Sequence, residues 1–284
     1  MNILVTGSAG MIGSYVVKGL IEKGHSVIGV DRRRNDNAND NLFTQVVLDL
    51  GSKEDVKQLF EEYKIDRCIH LAALAHTKGV ADTSWEAFKK VNVDCAENLF
   101  EACANNNVPV LFISTVDAVG MVKGHITPDT KLNPISNYGK SKAMAEGRLK
   151  DICKVWNIYR FSPVYTEDVK RDIQKRYYLK YPDWAYLIGG GQLFEVLNVR
   201  KAVSSMVDWV DKKVDNTIHI IKDEVLLNSA NVIAEEWAEG RAKHVLHIPR
   251  WMVICGYYCI KLVFGKSNKT YLVFKALWPF RTNE

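Results

Sequence analysis

Short apolar runs alternate with longer amphipathic ones along the first two thirds of the chain. Asn2–Thr6 and Ser26–Asp31 are buried-strand patterns, and residues 11–23, ended by Gly24, carry helical spacing between them. A third short strand precedes Leu48-Asp49-Leu50. Residues 53–63, 84–106 and 137–155 read as helices, and 67–71, 110–114 and 158–161 as strands. Apolar strands alternating with helices of this length predict an α/β fold with a parallel, doubly wound sheet.

After Tyr165 the rhythm breaks. Residues 167–186 are charged and aromatic, and Gly189-Gly190-Gly191 reads as a loop. Residues 199–212 are helical in pattern, and the β-branched residues 217–221 predict one more strand of the same sheet. From Asn228 onward two helical patches flank His244–Ile248 and Pro249. The expected organisation is a dinucleotide-binding domain of residues 1–165 with 199–223. A smaller substrate-binding subdomain of 166–198 and 224–284 is interleaved with it.

Composition adds bounds. In 284 residues, 47% are apolar and 25% charged, which suffices for a real core, and the net charge of +5 is modest. No motif supports nucleic acid as a partner. Six cysteines show no CxxC and no ligand spacing joined to histidines, so they read as reduced thiols packed as small hydrophobes. The first strand begins at once, with no room for a signal peptide, and the expected location is cytoplasmic.

The first chemistry lies in Thr6-Gly7-Ser8-Ala9-Gly10-Met11-Ile12-Gly13, a glycine-rich turn leaving a strand and opening a helix. Glycine permits the tight turn and the close approach of the backbone, and the free N–H groups of a helix N-terminus attract a pyrophosphate. Asp31 closes the second strand, where a carboxylate accepts hydrogen bonds from an adenosine ribose. NAD is therefore the expected cofactor. Arg32, Arg33 and Arg34 follow, and a guanidinium there is able to neutralise a 2′-phosphate, which leaves NADP open. Asp49 is placed either to bind an adenine amino group or to cap the helix that follows.

The second chemistry lies in Tyr138-Gly139-Lys140-Ser141-Lys142. A free phenol is protonated at neutral pH, and Lys142, one turn further on, puts a positive charge on the same helical face. With the nicotinamide's own charge, that would bring the phenol toward neutrality as an acid/base. Thr115, at a strand end, supplies a hydroxyl to share a proton with a substrate oxygen.

Gly7-Ser8-Ala9-Gly10, His70-Leu71-Ala72-Ala73, Val91-Asn92-Val93, Phe112-Ile113-Ser114-Thr115 and Tyr138 through Lys142 stand in one order. In this the chain resembles the extended short-chain dehydrogenase/reductase family, the NAD-dependent epimerases and dehydratases of nucleotide sugars. The match is dense over residues 1–165. Residues 70–76, ending at His76, the strand Phe112-Ile113-Ser114-Thr115 and Ile248-Pro249-Arg250-Trp251 look most like bacterial UDP-N-acetylhexosamine 4-epimerases and the related 4-keto-sugar reductases. The resemblance implies a Rossmann-type domain, a nucleotide-sugar substrate and a homodimer formed through residues 84–106 and 137–155. It implies Tyr138 as acid/base, Lys142 as its electrostatic partner and ribose ligand, and Thr115 at the reacting oxygen. Gly7, Gly10, Met11, Ile12, Gly13, Asp31, Arg32, Asp49 and Leu50 would hold the cofactor, and Leu71, Ala72 and Ala73 would line its path. Asn92 would steady the sheet beneath the site. A non-catalytic NAD(P)-binding protein would have lost Tyr138, Lys142 or Thr115, and all three are present.

Departures from the family pattern refine the expectation. Thr115-Val116-Asp117 lacks the first carboxylate of the dehydratases' Thr-Asp-Glu, which disfavours elimination of water; Asp117 is left as a candidate substrate contact. Val119 replaces a frequent tyrosine. Arg200 faces either the substrate diphosphate or solvent. Relatives continue past a point like Leu277, whereas this sequence ends at Glu284. Its last stretch, from Trp251 to Phe280, mixes aromatic, aliphatic and basic residues. That composition fits a peripheral contact with an anionic membrane, and also a helix packed on its own subdomain or on a partner subunit, which is the leading expectation.

Overall fold

A computed structural model describes residues 1–34, 40–75, 84–166, 171–174 and 176–282. His76, part of the sequence resemblance, and residues 167–170 and 175 of the substrate-side segment lie outside the described residues. Seven strands form one sheet: β1 Asn2–Thr6, β2 Ser26–Asp31, β3 Phe43–Val47, β4 Arg67–His70, β5 Val110–Thr115, β6 Trp156–Phe161 and β7 Ile218–Ile221. Their order is β7-β6-β5-β4-β1-β2-β3, and every pair is parallel. The order reverses beside β1, the kind of switch point at which open α/β sheets take ligands outside the carboxyl ends of their strands. This is the doubly wound, Rossmann-type sheet that the alternating pattern predicts.

The described residues also form ten α-helices: α1 Met11–Glu22, α2 Lys53–Glu62, α3 Trp85–Lys89, α4 Cys95–Asn105, α5 Asn137–Ile152, α6 Arg171–Gln174, α7 Val199–Trp209, α8 Ser229–Ala238, α9 Arg250–Phe264 and α10 Asn268–Leu277. The period of two along each strand divides the core. Leu4, Ile28 and Phe112 face one side, with Leu59, Leu99 and Leu149 of α2, α4 and α5. Ile3, Val5 and Leu111 face the other, with Leu20 of α1 and Met206 of α7. Phe100, Phe112 and Trp209 are fully buried.

The long helix expected over residues 84–106 is broken by a π turn at Lys90–Asp94. The extra residue in that turn turns Asn92 inward, a cause that apolar periodicity does not report. The helix expected over 137–155 stops at Ile152, and β6 begins at Trp156. Four cysteines are buried thiols as expected, but Cys255 and Cys259 are exposed on α9.

Beyond the sheet, Trp184–Ile188 pairs in parallel with His244–Ile248. Ile173, Tyr177, Phe194, Ile233 and Ala242 build a separate apolar cluster around this segment. The second expected helical patch is split at Gly265 into α9 and α10. Tyr257, Tyr271, Phe274 and Leu277 pack on Val116, Val119 and Ile126, just past the end of β5. No helix among the described residues is long and apolar enough to cross a membrane.

Candidate active site at the carboxyl edge of the sheet

Parallel pairing aligns the strand ends: Thr6 stands opposite Val30 and His70, and His70 opposite Phe112. The loops that leave β1, β2, β4 and β5 therefore emerge at one edge. The glycine turn follows Thr6. Gly7 adopts φ +72°, and a Cβ there would lie 2.8 Å from the Ala72 nitrogen, so only glycine lets this turn press against the loop after β4. Gly10 is the N-cap of α1 and brings no side-chain cap, leaving first-turn N–H groups of the helix open to an anion. Gly13 is buried within α1, Ile12 is half-buried and Met11 is exposed.

The Asp31 carboxylate accepts from the Ala9 nitrogen (3.2 Å) and the Arg33 nitrogen (3.0 Å), which fixes it beside the glycine turn. The Arg33 guanidinium lies 3.8 Å from it, and Arg32 is exposed. Ser52 caps α2 by accepting from the Asp55 nitrogen, so the capping alternative for Asp49 is set aside. Asp49 instead holds the Gly51 nitrogen at 2.9 Å, and its neighbour Leu50 is buried in the core. An uncapped helix start, a carboxylate at the end of β2 and the loop Leu71-Ala72-Ala73 alongside match what a dinucleotide requires.

On the other half of the edge, α5 is anchored at its first turn. Ser136 caps it, accepting from the Gly139 nitrogen at 2.9 Å and donating its hydroxyl to Asp117. A Cβ on Gly139 would sit 2.5 Å from the Asp117 carbonyl oxygen, so glycine allows α5 to lie directly on the end of β5. Tyr138 and Thr115 thereby share one corner. Tyr138 is half-buried with Phe88 at 6.4 Å between ring centroids, and Thr115 accepts from the Asp117 nitrogen at 3.2 Å.

Lys142 is 2% exposed, with its ammonium 3.9 Å above the Phe112 ring. Burial pulls its pKa from 10.5 down to about 7, against the opposing pull of Glu146 one turn later. Phe112 stacks on His70 (5.6 Å), and His70 Nδ1 meets Thr6 Oγ1 at 2.7 Å. Burial, helped by Lys142, lowers the His70 pKa to about 3, so its imidazole is neutral. Phe112, His70 and Thr6 thus join the lysine to the residue that opens the glycine turn.

Asn92 has a different task from the one expected. Its amide accepts from the Leu74 nitrogen (2.6 Å) and donates to the Leu74 carbonyl (3.0 Å) and Ser141 hydroxyl (2.9 Å). It binds the loop after β4 to α5 rather than steadying the sheet. Asp117 is enclosed by Ser136, Tyr271 (2.7 Å) and Lys275 (3.1 Å). Burial raises its pKa, but the Lys275 charge and the hydrogen bonds from Ser136 and Tyr271 together hold it below the usual carboxylate range. Arg200 lies at the start of α7 with an exposed side chain, its nitrogen donating to the Asn198 cap at 2.8 Å.

One buried cluster escaped the sequence reading. Glu146 accepts from the Ser114 hydroxyl (2.5 Å) and from Arg160 through Nε (3.1 Å) and Nη2 (2.8 Å), and Arg160 also donates to the Pro128 carbonyl. The available signal was an arginine inside an apolar strand, which demands a partner.

The NAD dependent epimerase/dehydratase family matches residues 3–168. A UDP-glucose 4-epimerase of Drosophila melanogaster is 30% identical over 188 residues, covering 57% of this chain and 53% of that protein. A protein named a probable low-salt glycan biosynthesis reductase, from Haloferax volcanii, is 32% identical over 167 residues, covering 58% and 54%. The chain thus spans about half the length of the curated relatives it matches. Among solved structures, Thermus thermophilus UDP-glucose 4-epimerase in complex with NAD superposes with a TM-score of 0.70 at 25% identity, covering 88% of this chain and 86% of that one. The UDP-Glc/GlcNAc 4-epimerase of Campylobacter jejuni, at 20% identity, shares the fold over 98% of both chains with a TM-score of 0.75. With a family match over more than half its length, the chain belongs to the NAD dependent epimerase/dehydratase family.

Proposed function

We propose that this chain is an NAD-dependent nucleotide-sugar 4-epimerase acting on a UDP-hexose or UDP-N-acetylhexosamine. The observation that carries this reading is the buried link from Lys142 through Phe112 and His70 to Thr6, which ties the helix of Tyr138 to the glycine turn. Bound NAD would take and return a hydride; the printed names of the relatives above support it.

In this reading the pyrophosphate lies at the start of α1, against Gly7, Gly10, Met11, Ile12 and Gly13. Asp31 receives the adenosine ribose, Asp49 the adenine amino group, and Lys142 the other ribose. Thr115 donates a hydrogen bond to the sugar's O4. The O4 proton passes to Tyr138 as hydride leaves C4, giving a 4-keto sugar. After the sugar has turned over, Tyr138 returns the proton and hydride is returned to the opposite face. Positive charge on Lys142 favours the phenolate that accepts the O4 proton at the first step and is restored at the last. Arg200 is the candidate for the substrate diphosphate. Asp117, whose oxygens are taken by Ser136, Tyr271 and Lys275, serves by holding the corner.

A 4-keto-sugar reductase would use the same residues, delivering hydride once while Tyr138 donates the proton. The arginines after Asp31 and the printed name of the Haloferax relative favour that second reading. Denaturing the purified protein and identifying the released nucleotide separates the two. Retained NAD with interconversion of UDP-hexoses, abolished in Tyr138→Phe, is the result expected of the epimerase. An empty site together with NADPH oxidation by a 4-keto sugar would overturn the epimerase in favour of the reductase.

A further inference from the structure

Helices α9 and α10 meet at Gly265, and their inner faces pack through Tyr257, Tyr271, Phe274 and Leu277. The outer face of α9 has another character. Trp251, Cys255, Tyr258 and Leu262 recur at intervals of three and four residues, which places them on one side of the helix. Met252, Cys259 and Val263 run beside them. All seven are exposed, Leu262 at 89%, Val263 at 73% and Trp251 at 65%, and no charged residue interrupts the stripe. Leu272 on α10 adds a further exposed apolar side chain, at 65%.

Charge decides what this face meets. From Gly240 to Asn283 there is neither aspartate nor glutamate; Arg241, Lys243 and Lys275 pair with carboxylates of other segments, which leaves Lys261, Lys266 and Lys269 as the basic residues beside the stripe. Lys261, in the last turn of α9, and Lys266, just past it, are exposed, and the Lys269 ammonium lies 4.4 Å over the Phe264 ring. A second copy seated symmetrically would set these lysines against their own equivalents, with no acidic residue of the segment between them. An anionic lipid headgroup layer supplies the missing charge, and the acyl boundary beneath it receives an apolar stripe. A 15-residue helix is too short to span a bilayer and suited to lie in its interface.

We infer that the α9–α10 hairpin docks the protein on an anionic membrane surface, with the Trp251–Leu262 stripe at the acyl boundary and Lys261, Lys266 and Lys269 at the headgroups. The inference stands on this face alone and does not depend on which reaction the site performs.

Sedimentation of the whole chain with vesicles tests it, using phosphatidylcholine alone and phosphatidylcholine containing one third phosphatidylglycerol. The expected result is binding to the anionic vesicles, about tenfold weaker on neutral ones and weakened by salt. Leu262→Asp with Val263→Asp should reduce it about tenfold, and Lys266→Glu with Lys269→Glu several-fold, both with unchanged melting temperature. Anionic vesicles should also shield Cys255 and Cys259 of the unmodified protein from a water-soluble maleimide. Equal binding to both vesicles, or binding to neither, overturns the inference. So does a dimer that Leu262→Asp dissociates in the absence of any vesicle binding.

Discussion

The Tyr271 hydroxyl donates to the Asp117 carboxylate across 2.7 Å, joining residues 154 positions apart. Through the other carboxylate oxygen, Asp117 takes the hydroxyl of Ser136, the cap of the helix that carries Tyr138 and Lys142. A helix near the end of this sequence thus fixes the first turn of α5. Tyr271→Phe leaves a buried carboxylate short of one donor and should cost about 1–3 kcal/mol of stability. In the proposed epimerase its kcat should fall several-fold while retained nucleotide is unchanged, because the loosened turn displaces Tyr138 and leaves the glycine turn alone. Thermal melts and steady-state kinetics check both effects; a change in KM only would show that Asp117 meets substrate instead.

The charge on Lys142 depends on pH. With its pKa near 7 in the fold against 10.5 unfolded, the native state binds fewer protons than the unfolded one between those values. The penalty of burying the ammonium is therefore complete below about pH 7 and is relieved as pH rises from about 7 toward 10.5. Lys142→Met should raise the melting temperature at neutral pH while lowering turnover by about 10²-fold or more. Wild-type turnover should decline on the alkaline side as Lys142 loses its proton, and Lys142→Arg, which stays charged, should move that limb upward. Paired pH profiles of melting temperature and rate measure this.

How much of this was open to a reader of the sequence follows from the range of each signal. The glycine turn, Asp31 and the Tyr138-to-Lys142 spacing are local: strand, turn and helix signals lie within a few residues of them. The partners of Asp117 were not readable, because no periodicity connects Ser136 and Asp117 to Tyr271 and Lys275 across a hundred and more residues. The π turn at Asn92 was hidden by Val91 and Val93, which suit either helical register. The mixed face of α9 was visible as composition. Which half of it packs was decided only when Tyr257 turned toward Val116 and Leu262 away from it.

His70 should make the protein acid-sensitive. It is buried neutral, with its pKa lowered to about 3 against 6.5 unfolded, so between those values the unfolded state binds the extra proton. Stability from this group is complete above about pH 6.5 and falls as pH drops toward 3, by about 1.4 kcal/mol per pH unit once well below 6.5. Asp117 adds to the loss only lower, as pH falls below its unfolded value of 3.8. His70→Asn should flatten the denaturant-midpoint profile between pH 6 and about 4.5, with some stability lost at all pH values from the Thr6 and Phe112 contacts. A slope unchanged by this substitution would assign the acid sensitivity to other groups.

Glu146 and Arg160 are 0% and 2% exposed, and each depends on the other. Glu146 answers the guanidinium with both oxygens, takes the Ser114 hydroxyl and sits one turn from Lys142, whose charged form it favours. Breaking a buried pair strands its partner charge, so Arg160→Met should destabilise by about 3–5 kcal/mol. Glu146→Gln should cost a similar amount and also push the Lys142 pKa further down, because the one opposing pull is gone. The alkaline limb of turnover should then begin at lower pH in Glu146→Gln. A purely structural pair would lower stability and leave the limb in place. In Arg160→Met the carboxylate remains, freed of its guanidinium, so the limb should move the other way. Opposite shifts from the two halves of one ion pair would identify Glu146 as the group that keeps Lys142 charged beside Tyr138.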